Sequence, residues 1–193
     1  MTQDERDNNL NAIEIPKVFK TFISEENFTN CIICNRYLLD ESTEYVVEKV
    51  FKDRYVEVEY AMCMNCMMKM RESMSQESLE RIGNFFEKNF DFMAKRFPML
   101  AAGNNRVEDY ISRCIFRDKS IDDSGEYQIM GHFRGNKMIL SAFPYMVCKD
   151  VIEEVQELLS AKTKEELDDF TNRYFGLPPD LKEILRTRKP VIF

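Results

Sequence analysis

Residues 45–51 (YVVEKVF) and 56–60 (VEVEY) are two short runs of β-branched and aromatic residues, with Asp53-Arg54 at the break between them. Such runs bounded by turn residues predict a β-hairpin. In the second run Val56, Val58 and Tyr60 alternate with Glu57 and Glu59, which predicts one buried face and one face in water. After residue 66 the period changes. Met67, Met70, Arg71 and Met74 follow a helical step, and Leu79, Ile82, Phe86, Phe90, Met93 and Phe97 continue at intervals of three and four. That spacing predicts one apolar stripe over about five turns, closed by Pro98.

The second half has the same grammar. Tyr127, Ile129 and Phe133 precede a turn at Gly135-Asn136, and Met138, Ile139 and Leu140 follow it. Val151, Ile152, Val155, Leu158 and Leu159 predict a helix. Thr163 with Glu166 reads as the capping box of another, carrying Leu167, Phe170 and Tyr174 and stopped by Gly176 and Pro178-Pro179. Residues 180–188 read as a short helix before an apolar end, Val191-Ile192-Phe193.

The likeness extends to the letters. The hexad at 40–45 (DESTEY) returns at 122–127 (DDSGEY), an offset of 82, and residues 28–36 align with 111–119 at an offset of 83. Tyr60-Ala61-Met62-Cys63 aligns with Tyr145-Met146-Val147-Cys148 at 85, and residues 75–80 align with 163–168 at 88. Four blocks in order with small indels predict a duplicated unit. Residues 99–106 form the seam, giving a polar segment over 1–20, a first unit over 21–98, a second over 106–178 and a C-terminal helix and tail over 179–193. A unit that buries little alone gains by packing on its copy, so two lobes related by a pseudo-twofold and joined through helices are expected.

Cysteines add chemistry to this plan. Cys31-x2-Cys34 and Cys63-x2-Cys66 are separated by 28 residues. Two such pairs supply the four thiolates a tetrahedral Zn²⁺ requires, because a two-residue gap lets a tight turn aim both sulfurs at one point roughly 2.3 Å away. The second pair opens a helix, where amide donors and the dipole favour thiolate. A thiol–disulfide motif and an iron–sulfur cluster are the other chemistries open to these spacings.

Knuckle, hairpin, then a cysteine pair at a helix start: over about residues 28–75 this order resembles the treble-clef zinc fingers. The resemblance implies a zinc-held scaffold with Cys31, Cys34, Cys63 and Cys66 as ligands, and no particular activity. In the second unit Arg117 replaces Cys34 and Val151 replaces Cys66, so that copy is expected to be metal-free, with one structural zinc per chain. Cys114 and Cys148 should still meet, as a pair of buried thiols or a redox-responsive disulfide. His132, the only histidine, is either a further ligand or a hydrogen-bonded residue of the hairpin.

Composition narrows the function. The formal charge is −7 and neither half is basic, which disfavours diffuse attraction to phosphate backbones or anionic lipid. Arg186, Arg188 and Lys189 form a small basic tail. No apolar run of about eighteen residues occurs and the N-terminus has no apolar signal region, so a cytoplasmic protein without membrane contact is expected. No phosphate-loop, dinucleotide, zinc-protease, nucleophile-elbow or EF-hand motif is present, and four cysteines close a zinc shell, so no enzyme is expected. The carboxylates of the two hexads read as solvated turn residues. Six of the twelve methionines lie in residues 62–74. They either fill space or, as Met64, Met67, Met68, Met70 and Met74, offer a pliable surface to a partner.

The resulting expectation is an α+β protein of two treble-clef-like repeats, acting as a zinc-stabilised, non-enzymatic protein-interaction or adaptor module. A nucleic-acid-binding regulator and a thiol-based redox sensor are the competing classes.

Overall fold

The computed structural model describes residues 11–176; Pro178-Pro179, the helix expected over 180–188 and the basic, apolar-ended tail lie outside them. The fold is α+β. Six strands form one sheet: β1 (Ala12–Glu14), β2 (Glu44–Lys52), β3 (Tyr55–Cys63), β4 (Glu126–Arg134), β5 (Lys137–Ile139) and β6 (Tyr145–Cys148). Their order is β1-β5-β4-β2-β3, with β6 also on β4. The helices are α1 (Met64–Ser73), α2 (Gln76–Asn89), α3 (Phe92–Lys95), α4 (Phe97–Ala101), α5 (Val107–Ile111), α6 (Lys149–Leu158) and α7 (Ala161–Phe175). By contacts the described residues divide into two compact units, residues 11–64 with 90–149 and residues 65–89 with 150–176. Among the described residues the first unit holds the whole sheet with α3 to α5, and the second holds α1, α2, α6 and α7. The division therefore follows sheet and helices and does not fall in the segment 99–106.

In the sheet unit the expected first hairpin is present, and Asp53 (φ 49°) and Arg54 (φ 70°) make its turn in the left-handed region. Strand β2 also pairs antiparallel with β4 along its full length, from Glu44 opposite Arg134 to Lys52 opposite Glu126. This register is self-complementary at the sequence offset of 82: Glu48 stands opposite Met130, its own counterpart. Both ends are closed by opposite charges, Arg134 on Glu44 and Lys52 Nζ 3.7 Å from Glu126. Tyr45 stacks on Phe133 at 5.2 Å, and Phe19 meets Phe133 edge-on at 5.5 Å. Gly131 lies beside them because a Cβ there would come within 2.8 Å of the Phe133 ring and 2.9 Å of Met138.

Several expectations need correction here. The segment assigned to a polar N-terminus supplies β1, which pairs with β5, and the fully buried Phe19. The strand after the Gly135 turn ends at Ile139, so Leu140 lies outside it. Glu59 does not face free water: its carboxylate accepts from the Phe22 amide (2.9 Å) and pairs with buried Lys49 (2.9 Å). The apolar stripe ends at Asn89, where Asp91 caps a new helix by accepting from the Ala94 amide (3.0 Å). Beyond that break Met93 and Phe97 are exposed. Pro98 sits in the first turn of α4 and does not terminate a helix there.

The helix unit shows why α2 and α7 start where they do. Ser75 Oγ accepts from the Ser78 amide (3.1 Å) and Ser160 Oγ from the Thr163 amide (3.2 Å), so Ser75 and Ser160 are the N-caps. Thr163 is thus an interior residue of the first turn and not the cap, and the correspondence with Ser75 falls on Ser160, at an offset of 85. In an ordinary capping box the third helical residue reaches back to its own cap amide. Here the reach is crossed: Ser160 N–H donates to Ser78 Oγ (2.8 Å) and Ser75 N–H donates to Thr163 Oγ1 (3.0 Å). Ser78 and Thr163 are fully buried.

A polar cluster is buried in the sheet unit. Tyr60 O–H donates to Glu48 Oε2 (2.6 Å), and at the corresponding pair Tyr145 O–H donates to Met130 Sδ (3.2 Å). Glu48 is 1% exposed, with no partner for Oε1, and burial pushes its carboxyl up to about 8 against the opposing Tyr60 bond. The unfolded chain ionises this group near 4.5 while the folded protein keeps it protonated to about 8, so stability falls as pH rises between those values and levels off above. Glu48→Gln keeps an acceptor for Tyr60 and removes the titration. Urea unfolding should show the variant more stable than wild type by on the order of 2–4 kcal/mol at pH 9, with the gap closing toward pH 4.5; a gap independent of pH contradicts the assignment. For the crossed caps, Ser78→Ala should lower stability by about 1–3 kcal/mol in the same assay, because the Ser160 amide loses its acceptor.

Candidate metal centre

The first knuckle is built by backbone bonds. Cys31 N–H donates to the Arg36 carbonyl (2.9 Å) and Asn35 N–H to the Cys31 carbonyl (2.9 Å), with Asn35 left-handed at φ 57°. Asn tolerates this conformation better than most residues, and the Asn30 side-chain amide bonds the Asn35 carbonyl (3.0 Å). Ile32 N–H donates to the Ala61 carbonyl (2.9 Å), which fastens the knuckle to β3 two residues before Cys63. Cys63 ends β3, and Cys66 lies in the first turn of α1, which follows with no intervening loop.

These constraints bring the four expected ligands together. The sulfurs of Cys31, Cys34, Cys63 and Cys66 all lie within 4.8 Å of one another. Cys34 and Cys63 Sγ are 3.7 Å apart, against about 3.8 Å for two corners of a tetrahedron with 2.3 Å metal–sulfur bonds. Cys63 N–H donates to Cys31 Sγ (3.3 Å), the kind of amide contact that steadies a thiolate ligand. Cys31, Cys63 and Cys66 are buried and Cys34 is exposed. The donor set is all sulfur, converging and closed at four, so these residues fit a bound metal ion.

The second knuckle repeats these bonds without the ligand set. Cys114 N–H donates to the Lys119 carbonyl (2.8 Å) and Asp118 N–H to the Cys114 carbonyl (2.9 Å), with Asp118 at φ 55°. Ile115 N–H donates to the Met146 carbonyl (2.9 Å), and Cys148 N–H to Cys114 Sγ (3.4 Å). Cys114 and Cys148 are therefore neighbours, both buried and not joined in a disulfide. The Cys148 thiol, then the amides of Cys148, Phe116 and Arg117, hold the Cys114 thiol down at about 6 against the desolvation that would raise it. Arg117 and Val151 occupy the positions that correspond to Cys34 and Cys66.

His132 does not join these thiols. Its Nε2 lies 3.3 Å from Glu44 Oε2, and burial lowers its basicity. Its side chain projects from the sheet face opposite to that of Cys148, since Cys148 pairs with Tyr127 and His132 is five residues further along β4. Of the methionines, Met68 is 46% exposed, Met74 is buried, and Met64, Met67 and Met70 are half-buried. In the acidic hexads Asp40, Glu41, Asp122 and Asp123 are exposed, and Asp122 accepts from Arg54 (2.9 Å).

Sequence reasoning also missed an exposed apolar pair outside the cysteines. Phe22 (55% exposed) and Ile23 (94%) project from a loop closed by Thr21 N–H donating to the Glu26 carbonyl (2.8 Å) and tied down by the Phe22 amide on Glu59. The adjacent pair Phe22-Ile23 was the only signal, and it carried no period. No family model, curated protein or solved structure matches this chain. No helix among the described residues is long and apolar enough to cross a membrane.

Loss of one buried ligand should empty the centre, whereas a thiol of the second knuckle should not matter to it. Cys31→Ser is expected to abolish stoichiometric metal, and Cys114→Ala to keep full content, as read by plasma mass spectrometry of purified protein. Equal metal content in the two variants would refute the assignment.

Proposed function

We propose that this chain is a zinc-stabilised, non-enzymatic protein-interaction module of the cytoplasm, in which a treble-clef-like first half holds one structural Zn²⁺ and the second half is its metal-free copy. The observation that carries the reading is the closed set of four sulfurs, three of them buried. Four thiolates at tetrahedral spacing suit Zn²⁺, and a filled shell has no open position for a substrate or a reactive water. Zinc here would supply cross-linking of the knuckle to the start of α1, and no chemistry. Six cysteines with no disulfide suit a reducing compartment. The matching hydrogen bonds of the two knuckles, at offsets of 83 to 85, support descent from one unit.

The interaction role draws on exposed apolar side chains that serve no core. Phe22 and Ile23 stand together on an anchored loop, and Phe92, Met93 and Phe97 are exposed on the short helices after Asn89. The net charge of −7 weighs against a nucleic-acid partner.

Purified protein should contain about one zinc per chain; a value near two or near zero overturns the zinc reading. For the interaction, quantitative affinity purification from the source organism should compare wild type with Phe22→Asp/Ile23→Asp at matched zinc content. A protein partner retained by the first and lost by the second is expected. Nucleic acid that is retained by both and released by salt would instead favour the regulator reading.

A further inference from the structure

The four sulfurs are not equivalent. Cys31 and Cys63 are each 2% exposed and Cys66 is 7% exposed, while Cys34 opens to solvent beside exposed Asn35, Arg36 and Tyr37. Cys34 is followed at once by the left-handed Asn35, whose amide closes the turn on the Cys31 carbonyl. Across the site Cys34 Sγ touches Cys63 Sγ at 3.7 Å.

We propose that Cys34 is the site at which hydroperoxides modify this chain, that Cys63 resolves the product as a Cys34–Cys63 disulfide, and that the metal leaves in consequence. The inference deepens the zinc reading and rests on it for the last step only. Metal-bound thiolates remain nucleophiles, and which one reacts is set by access as well as by charge. With hydrogen peroxide, the Cys34 thiolate attacks one oxygen and the O–O bond breaks, giving a sulfenic acid and hydroxide. The Cys63 thiolate then attacks the Cys34 sulfur, forming the S–S bond and expelling a second hydroxide. The two thiolates lose two electrons and the peroxide gains them. Zinc changes no oxidation state and is left with two thiolates, too few for a tetrahedral thiolate site.

The rival target is Cys114. Its thiol is held low by the Cys148 thiol and by backbone amides, and Cys148 stands beside it as a ready partner, yet it is 2% exposed and Cys148 is fully buried. Access therefore favours Cys34, because peroxide must reach a sulfur before its charge counts.

The test uses the full, reduced, zinc-loaded chain. Hydrogen peroxide is titrated in while a chromophoric chelator reports released zinc, and disulfides are mapped by mass spectrometry without reductant after blocking remaining thiols. The expected result is release of about one zinc per chain in step with a Cys34–Cys63 linkage, reversed by dithiothreitol and added Zn²⁺. Cys114 and Cys148 should stay reduced until that linkage is complete. A Cys114–Cys148 disulfide forming first, a linkage within either C-x2-C pair, or a zinc-loaded chain inert to peroxide would each overturn the proposal. Metal analysis before the titration separates the two readings: a chain purified without zinc that still forms Cys34–Cys63 first refutes the zinc assignment and upholds the order of attack.

Discussion

The pairing of β2 with β4 is the constraint on which the sheet unit depends. It runs from Glu44 opposite Arg134 to Lys52 opposite Glu126, and each of these strands carries one knuckle's anchoring strand on its other side. Slipping it by one residue would turn every side chain to the wrong face. Tyr45 would leave Phe133, Phe51 would leave Tyr127, and the ion pairs at both ends would be lost together. Because corresponding residues face each other about Glu48 and Met130, the register that is right for one half is right for the other.

Against that matched frame the two halves secure their knuckles by different means. The first converges four sulfurs, which a metal ion would cross-link. The second keeps the turn, the amide-to-sulfur bond and the anchoring bond to β6, but relies on packing, with Cys114, Ile115, Phe116, Met146, Val147 and Cys148 all buried. The same asymmetry appears at the centre of the sheet, where a tyrosine hydroxyl meets a carboxyl in one half and a thioether in the other. A buried carboxyl costs stability once ionised, whereas Met130 carries no such cost.

How much of this was legible in the sequence depends on how local the cause is. Cysteine spacing is a local signal with a geometric reason, so the convergence of Cys31, Cys34, Cys63 and Cys66 and the meeting of Cys114 with Cys148 could be read directly. The hairpin turn at Asp53-Arg54 and the C-cap at Gly176 were legible for the same reason. Periodicity failed where a tertiary partner overrode it. The stripe through Met93 and Phe97 continued in sequence but was broken by the Asp91 cap, and Glu59 looked like a water-facing residue because Lys49 and the Phe22 amide lie outside its strand. Buried Glu48 and Gln128 left no trace at all, since alternation in a strand says which residues share a face and not whether both faces are covered. The order of strands, with β2 on β4, needs pairing information that no single run contains.

The crossed caps in the helix unit extend the argument from the sheet to the helices. A serine hydroxyl is a weak determinant alone, because Ser75 or Ser160 could cap its own helix with water on the free cap amide. Exchanging the third-residue hydroxyls removes that freedom: the Ser75 amide is satisfied only if α7 starts beside it, and the Ser160 amide only if α2 does. The two hydroxyls that serve as N-caps also bond each other at 2.8 Å. Each helix start therefore specifies the other, as each of β2 and β4 specifies the other's register. Reciprocity gives both units a single solution from interactions that are individually worth about 1 kcal/mol, and it explains why a block of Ser and Thr with no apolar content is fully buried at Ser78 and Thr163.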